Sequence, residues 1–153
     1  MTDISPSNDR LVLSGGFDSY EPSELFAMWV VPDFLMRWWP EVAEVQSGVG
    51  GGYKFSWPSR NWILEGKYTA WEPGSRLGFT WRWNFDPPEI PEMQVEIVFK
   101  PREECGTELT ILHWPYTESA ESQTERDGHR EGWMHFCMRL AGLREGELVE
   151  AES

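Results

Sequence analysis

Residues Gly52–Trp83 read GYKFSWPSRNWILEGKYTAWEPGSRLGFTWRW. Apolar and polar side chains alternate in three runs, with turn residues between them. Tyr53, Phe55 and Trp57 alternate with Lys54 and Ser56, and Pro58-Ser59-Arg60-Asn61 breaks the run. Trp62, Leu64, Gly66 and Tyr68 then alternate with Ile63, Glu65, Lys67 and Thr69, up to the turn Glu72-Pro73-Gly74-Ser75. Leu77, Phe79, Trp81 and Trp83 share the parity of the third run, against Gly78, Thr80 and Arg82. A period of two places alternate side chains on opposite faces of a strand. Short turns between such strands give an antiparallel meander. One face of that sheet is almost wholly aromatic, and it needs a cover.

The flanking sequence extends the pattern in both directions. Upstream, Arg10–Phe17 reads as a strand and Val42–Gln46 as another, followed by the Gly-rich turn Gly48–Gly52. Between them, Glu21-Pro22-Ser23-Glu24 opens a helix whose face is Leu25, Phe26 and Trp29. Proline suits the first helical turn, and acidic residues suit the positive end of the helix dipole. Val31-Pro32-Asp33 interrupts it, and Phe34–Trp38 reads as a second short helix ending before Pro40. Downstream, after the loop from Asp86 to Pro91, Val95, Ile97 and Phe99 alternate with Gln94, Glu96 and Val98. Thr107, Leu109, Ile111 and His113 mark a last strand. A long helix is predicted over Gln123–Glu145, with Trp133, Phe136, Cys137, Leu140 and Leu143 on one face. An acidic, frayed tail is expected from Glu147.

These elements predict an α+β fold: a curved antiparallel sheet of six to seven strands wrapped around a long C-terminal helix, with two short helices after the first strand. A chain of 153 residues fits one domain, here 1–153 with an ordered core over about 10–145. No run of about 18 apolar residues suggests a membrane span. Met1–Arg10 lacks the basic start and apolar stretch of a signal peptide, so a cytoplasmic location is expected. Cys105 and Cys137 are not at metal-ligand spacing, and a reducing compartment leaves them as thiols. A net charge of −13 with three lysines (Lys54, Lys67 and Lys100) argues against nucleic acid. A negative surface maintains solubility, and a basic protein partner is the sharper alternative reading of it.

Five segments carry a resemblance to a known family. They are Pro32–Trp38 with Pro40; Gly51-Gly52-Tyr53-Lys54-Phe55; Gly66–Trp81 through Glu72-Pro73-Gly74-Ser75-Arg76-Leu77; Gly106–His113; and Gly132-Trp133 with Phe136 and Leu140. Together they resemble the homologues of the activator of the heat-shock-protein-90 ATPase, within the START/birch-pollen-allergen (SRPBCC) superfamily. The sequence departs from that family's pattern at Gly74, where a second proline is usual. The resemblance implies a helix-grip fold with an internal cavity. Superfamily members bind lipids, hormones or polyketides, and some are cyclases or aromatases. A chaperone role does not transfer by fold alone.

Ten tryptophans in this length exceed what an ordinary core needs. They predict an aromatic-lined cavity for a small apolar, ring-containing molecule. The expected ligand-binding set is Phe55, Trp57, Trp62, Tyr68, Phe79, Trp81, Trp83, His113, Trp133 and Phe136. Replacing Trp81 with Ala is expected to weaken ligand binding more than folding. His113 shares a strand face with Leu109 and Ile111 and is the candidate acid–base group of a polyketide cyclase/aromatase-like alternative. His129 and His135 read as a solvated helix face, and Arg82 as a surface side chain. No catalytic motif of recognised type occurs, and neither a metal nor a cofactor is expected. A homodimer through exposed Trp38, Trp39 or Trp114 is a further expectation, as is a chaperone-accessory interaction through the acidic surface.

Overall fold

The computed structural model describes the backbone of residues 1–152 and the side chains of residues 1–144. In chain order the strands are β1 (Thr2–Asp3), β2 (Leu11–Phe17), β3 (Val42–Val45), β4 (Gly52–Trp57), β5 (Trp62–Glu72), β6 (Arg76–Trp83), β7 (Met93–Pro101) and β8 (Thr107–Trp114). Helices α1 (Pro22–Val30) and α2 (Pro32–Leu35) follow β2, and α3 (Ala120–Glu152) ends the chain. The strands form one curved antiparallel sheet in the order β1-β2-β8-β7-β6-β5-β4-β3. This is the predicted α+β architecture with one strand more. The extra strand is β1, which pairs Thr2 with Ser14 and Asp3 with Leu13. Two residues in a polar leader are too few to show a periodicity.

Alternation decides which residues fill the core. Along β7 and β8 every second side chain is buried: Met93, Val95, Ile97 and Phe99, then Thr107, Leu109, Ile111 and His113. Their partners across the strands share that face, since Val95 lies opposite His113 and Ile97 opposite Ile111. Gly66 of β5 allows a close approach to β6. A Cβ there would collide with the Thr80 carbonyl oxygen of β6. At the same point the Tyr53 hydroxyl donates to that carbonyl, and the Lys67 N–H donates to Thr80 Oγ1 at 2.9 Å. The register then shifts between Tyr68 and Ala70. Bulges of this kind curve a sheet.

The helices close the concave side. Glu24 accepts the N–H of Glu21 at 3.0 Å, and Pro22 begins α1, so the sequence signals act as read. Pro32 starts α2, where the sequence suggested a break before a helix at Phe34–Trp38. Its fixed φ and missing N–H suit a first helical turn. Helix α3 begins at Ala120 and its backbone runs to Glu152, beyond the Glu145 expected. The acidic tail expected from Glu147 lies outside the residues whose side chains are described. Three ties hold α3 to the segments that flank β2. The Tyr20 hydroxyl donates to Leu140 O at 2.9 Å, buried Arg126 donates to Arg10 O at 3.0 Å, and Gln123 donates to Asn8 O at 3.0 Å. No described helix is long and apolar enough to cross a membrane.

Trp38 and Trp39 correct a sequence expectation. They are 0% and 6% exposed, so they form no surface patch for a dimer. The turn after α2 tucks both indoles under the sheet. The Trp38 N–H donates to Met28 O at 2.9 Å, and Trp29 packs edge-on against Trp38 at 4.8 Å between ring centres.

An aromatic cavity between sheet and helix

A cavity of about 440 Å³ lies between the sheet and α3. Trp57 of β4, Trp62 of β5, and Trp81 and Trp83 of β6 supply the sheet side. Their common parity on neighbouring strands brings them together: Trp57 is paired with Trp62, and Trp83 with Leu64. Trp39 closes one end, 6.0 Å from Trp81 and 5.1 Å from Trp133 between ring centres. Phe85 and Asp86 come from the loop after β6. Asp86 is fixed by accepting the Trp83 N–H at 2.8 Å. Helix α3 supplies Glu125, Gly128, His129, Gly132, Trp133 and Phe136. These positions fall at i, i+3, i+4, i+7, i+8 and i+11, one stripe of a helix. Trp62 and Phe85, 39% and 59% exposed, mark the side where the cavity meets solvent.

Gly128 and Gly132 are unusual residues for the middle of a long helix, where each costs roughly 1 kcal/mol relative to Ala. Neither is required by close packing, because a Cβ at either site would meet nothing within 4 Å. What they do is leave the helix wall of the cavity bare.

Behind this wall lies a buried polar cluster. The Trp133 N–H donates to His113 Nδ1 at 3.1 Å, which places the His113 proton on Nε2. Among the described residues that buried Nε2 has no hydrogen-bond partner, nor has the indole nitrogen of Trp81. The His113 ring stacks on that of His129 at 4.4 Å. Tyr116 and His129 Nδ1 share a hydrogen bond of 2.8 Å. Burial holds His113 well below the usual histidine range, with the neighbouring His129 adding to the effect. Burial likewise lowers His129 to about 4. Both imidazoles are therefore neutral at pH 7. Glu125 is raised, first by burial and then by the charge of Asp86.

Six of the ten residues expected at the site line the cavity: Trp57, Trp62, Trp81, Trp83, Trp133 and Phe136. Phe55, Tyr68, Phe79 and His113 do not. Phe55, Tyr68 and Phe79 surround Tyr53 in the adjoining core, with ring centres 4.7, 5.6 and 5.4 Å from it. His113 is fully buried behind His129. His129 is the imidazole in the wall, contrary to the solvated position expected for it, because α3 turns that face inward. The sequence also missed Trp39, Phe85, Asp86, Glu125 and the two glycines. The glycines at 128 and 132 were the available signal, since i, i+4 glycines in a helix are costly unless something uses the space. Arg82 lies outside, donating to Pro87 O at 3.4 Å and to Ile90 O. Among the described residues, no group of three His, Cys, Asp or Glu side chains is placed to hold a metal ion.

Sheet, covering helix and intervening cavity define a helix-grip protein of the SRPBCC type. The model of the family described as Activator of Hsp90 ATPase homolog 1-like protein matches residues 19–145, and the chain belongs to that family. Among solved structures it is similar to protein MLL2253 from Mesorhizobium loti, with 21% identity and a TM-score of 0.77 over 89% of this chain and 96% of that one. It is also similar to PFC0360w, an HSP90 activator from Plasmodium falciparum, with 20% identity and a TM-score of 0.71 over 88% and 95%. DynU16, a protein in the dynemicin biosynthetic locus, gives 20% identity and a TM-score of 0.76 over 90% of this chain and 47% of that one. At such identities the likeness shows the fold alone. No curated protein matches the chain significantly.

Proposed function

We propose that this protein binds a small apolar, ring-containing molecule in the cavity between sheet and helix. One observation carries the reading: about 440 Å³ of space walled by eight aromatic side chains. That volume falls in the range of roughly 300–1,000 Å³ that small-molecule sites occupy. Burial of apolar surface at about 25 cal/mol per Å² supplies affinity, and the few polar groups set orientation. The unsubstituted helix wall at Gly128 and Gly132 supports the same reading, since the space is held open at a cost in helix stability.

A cyclase-type reaction is less well supported. It requires an acid–base group in contact with the ligand. His113, the candidate from sequence, is behind the wall, and His129 in the wall holds its proton only near pH 4 and below. Binding in the cytoplasm suits the free thiols of Cys105 and Cys137.

Native and then denaturing mass spectrometry of the purified protein tests the proposal, with Gly132→Leu alongside. A mass excess on the native protein that is lost on denaturation, and absent from Gly132→Leu, is the expected result. An excess that persists equally in Gly132→Leu would place the ligand elsewhere and refute the proposal.

A further inference from the structure

The charged groups lining the cavity are of one sign. Its walls are aromatic, and its only charged side chains among the described residues are two carboxylates, Asp86 in the loop after β6 and Glu125 on α3. Among the described residues no Lys or Arg lines it, although the Arg60 guanidinium lies 5.0 Å from the centre of the Trp62 ring. Among the described residues, neither carboxylate forms an ion pair with Lys or Arg. Glu125 does lie near the imidazole of His129, with Nε2 3.8 Å from Oε1. That imidazole is uncharged at neutral pH. The two carboxylates also feel each other, since the Asp86 charge helps raise Glu125. An aromatic enclosure presents the negative faces of its rings to a cation, and carboxylates at its edge add to that field. An anionic ligand meets repulsion from both groups and finds no donor side chain with a positive charge. A neutral ligand leaves the carboxylates facing each other unneutralised.

Resting on the small-molecule reading above, we propose that the ligand is an organic cation: an apolar, ring-bearing body with a quaternary or protonated amine placed between the aromatic walls and the Asp86–Glu125 pair. The positive end lies near the solvent side, where Phe85 and Asp86 stand. The apolar body extends inward toward Trp39, Trp81 and Trp133.

The test uses three probes of one size on the full chain. They are benzyltrimethylammonium, its neutral isostere neopentylbenzene, and the anion phenylmethanesulfonate. Binding is followed by calorimetry and by quenching of tryptophan fluorescence. The cation is expected to bind about tenfold or more tightly than the neutral isostere, and the anion not at all, given the usual strength of desolvated cation–aromatic contacts. In the D86N/E125Q double variant the preference for the cation is expected to fall to within about twofold. Asn at 86 retains an oxygen for the Trp83 N–H, and circular dichroism checks that the variant is folded. Equal or tighter binding of neopentylbenzene overturns the cation proposal and leaves the apolar-ligand reading standing. Binding of none of the three overturns both. An unchanged cation preference in the folded double variant overturns the role of the carboxylates.

Discussion

Lowering the pH from 7.5 to 5.0 should cost this protein much of its stability, through two histidines. His113 and His129 are both held below the ordinary value of 6.5 by burial. The unfolded chain takes up protons on both as the pH falls through 6.5, while the folded protein does not until about 4 for His129 and well below the ordinary histidine range for His113. Stability is therefore full above pH 6.5 and is lost progressively below it. At pH 5.0 the unfolded state gains RT ln(1 + 10^1.5), about 2 kcal/mol for each histidine and about 4 for the pair. Glu125 opposes this in part. Its raised pKa makes the folded state the better proton acceptor there, so its contribution grows as the pH falls. Aspartates and glutamates with lowered values, such as Asp3 and Glu24, titrate below this window. Even 3 of about 4 kcal/mol is a large share of the roughly 5–15 kcal/mol typical of a domain. The assay is urea unfolding at pH 7.5, 6.5, 5.5 and 5.0, with His129→Gln alongside. Wild-type stability should fall steeply below pH 6.5, and the variant should lose about half the slope. A flat profile for wild type between pH 7.5 and 5.0 would refute the buried neutral pair.

Other substitutions separate the cavity from the core. Gly132→Leu should leave the thermal midpoint unchanged or raise it, by up to about 0.8 kcal/mol of helix propensity, while abolishing uptake of benzyltrimethylammonium. Trp62→Ala, at an exposed site, should cost under about 1 kcal/mol of stability and still weaken that binding several-fold, as calorimetry would report. Trp81→Ala should instead cost about 3–5 kcal/mol in chemical denaturation. Its ring contacts Trp39, Trp83, His113, His129 and Trp133, so the sequence expectation of a mainly ligand-binding role does not fit its surroundings. Gly66→Ala should destabilise by more than about 2 kcal/mol, because the new methyl group meets backbone rather than a flexible side chain.

The sheet was legible because each strand wrote its own period into the chain. Tyr53, Phe55 and Trp57, or Leu109, Ile111 and His113, need no knowledge of distant residues to be read as one face. The cavity was only half legible. Trp57, Trp62, Trp81 and Trp83 follow from strand parity, and Trp133 and Phe136 from helix spacing. Tyr68 and Phe79 share that parity yet lie beyond Gly66 along the sheet, and Phe55, opposite Leu64, packs on Trp39 and Tyr53 rather than lining the cavity. Parity assigns a face and not a distance along it. Trp39 was misread as exposed because its burial depends on a turn after α2, and no periodicity describes a turn. His129 was misread for a related reason: on α3 the stripe facing the sheet is wider than its apolar residues, and it includes polar and glycine positions.

The strand order has a consequence for how the chain is made. β2, near the start, pairs with β8, whose last residue is Trp114, and the helix that covers the aromatic face comes later still. On a ribosome, then, the tryptophans of β4, β5 and β6 emerge well before the element that shields them. At roughly 5–20 residues per second, the interval from Trp83 to Leu140 is about 3–11 s. For that time the nascent chain presents a bare aromatic surface and, until Trp114 has emerged, a β2 that lacks its β8 neighbour. Vectorial synthesis thus puts the greatest hazard of misassociation before the last helix, and a truncation anywhere ahead of Trp133 leaves a product with no means of hiding that surface.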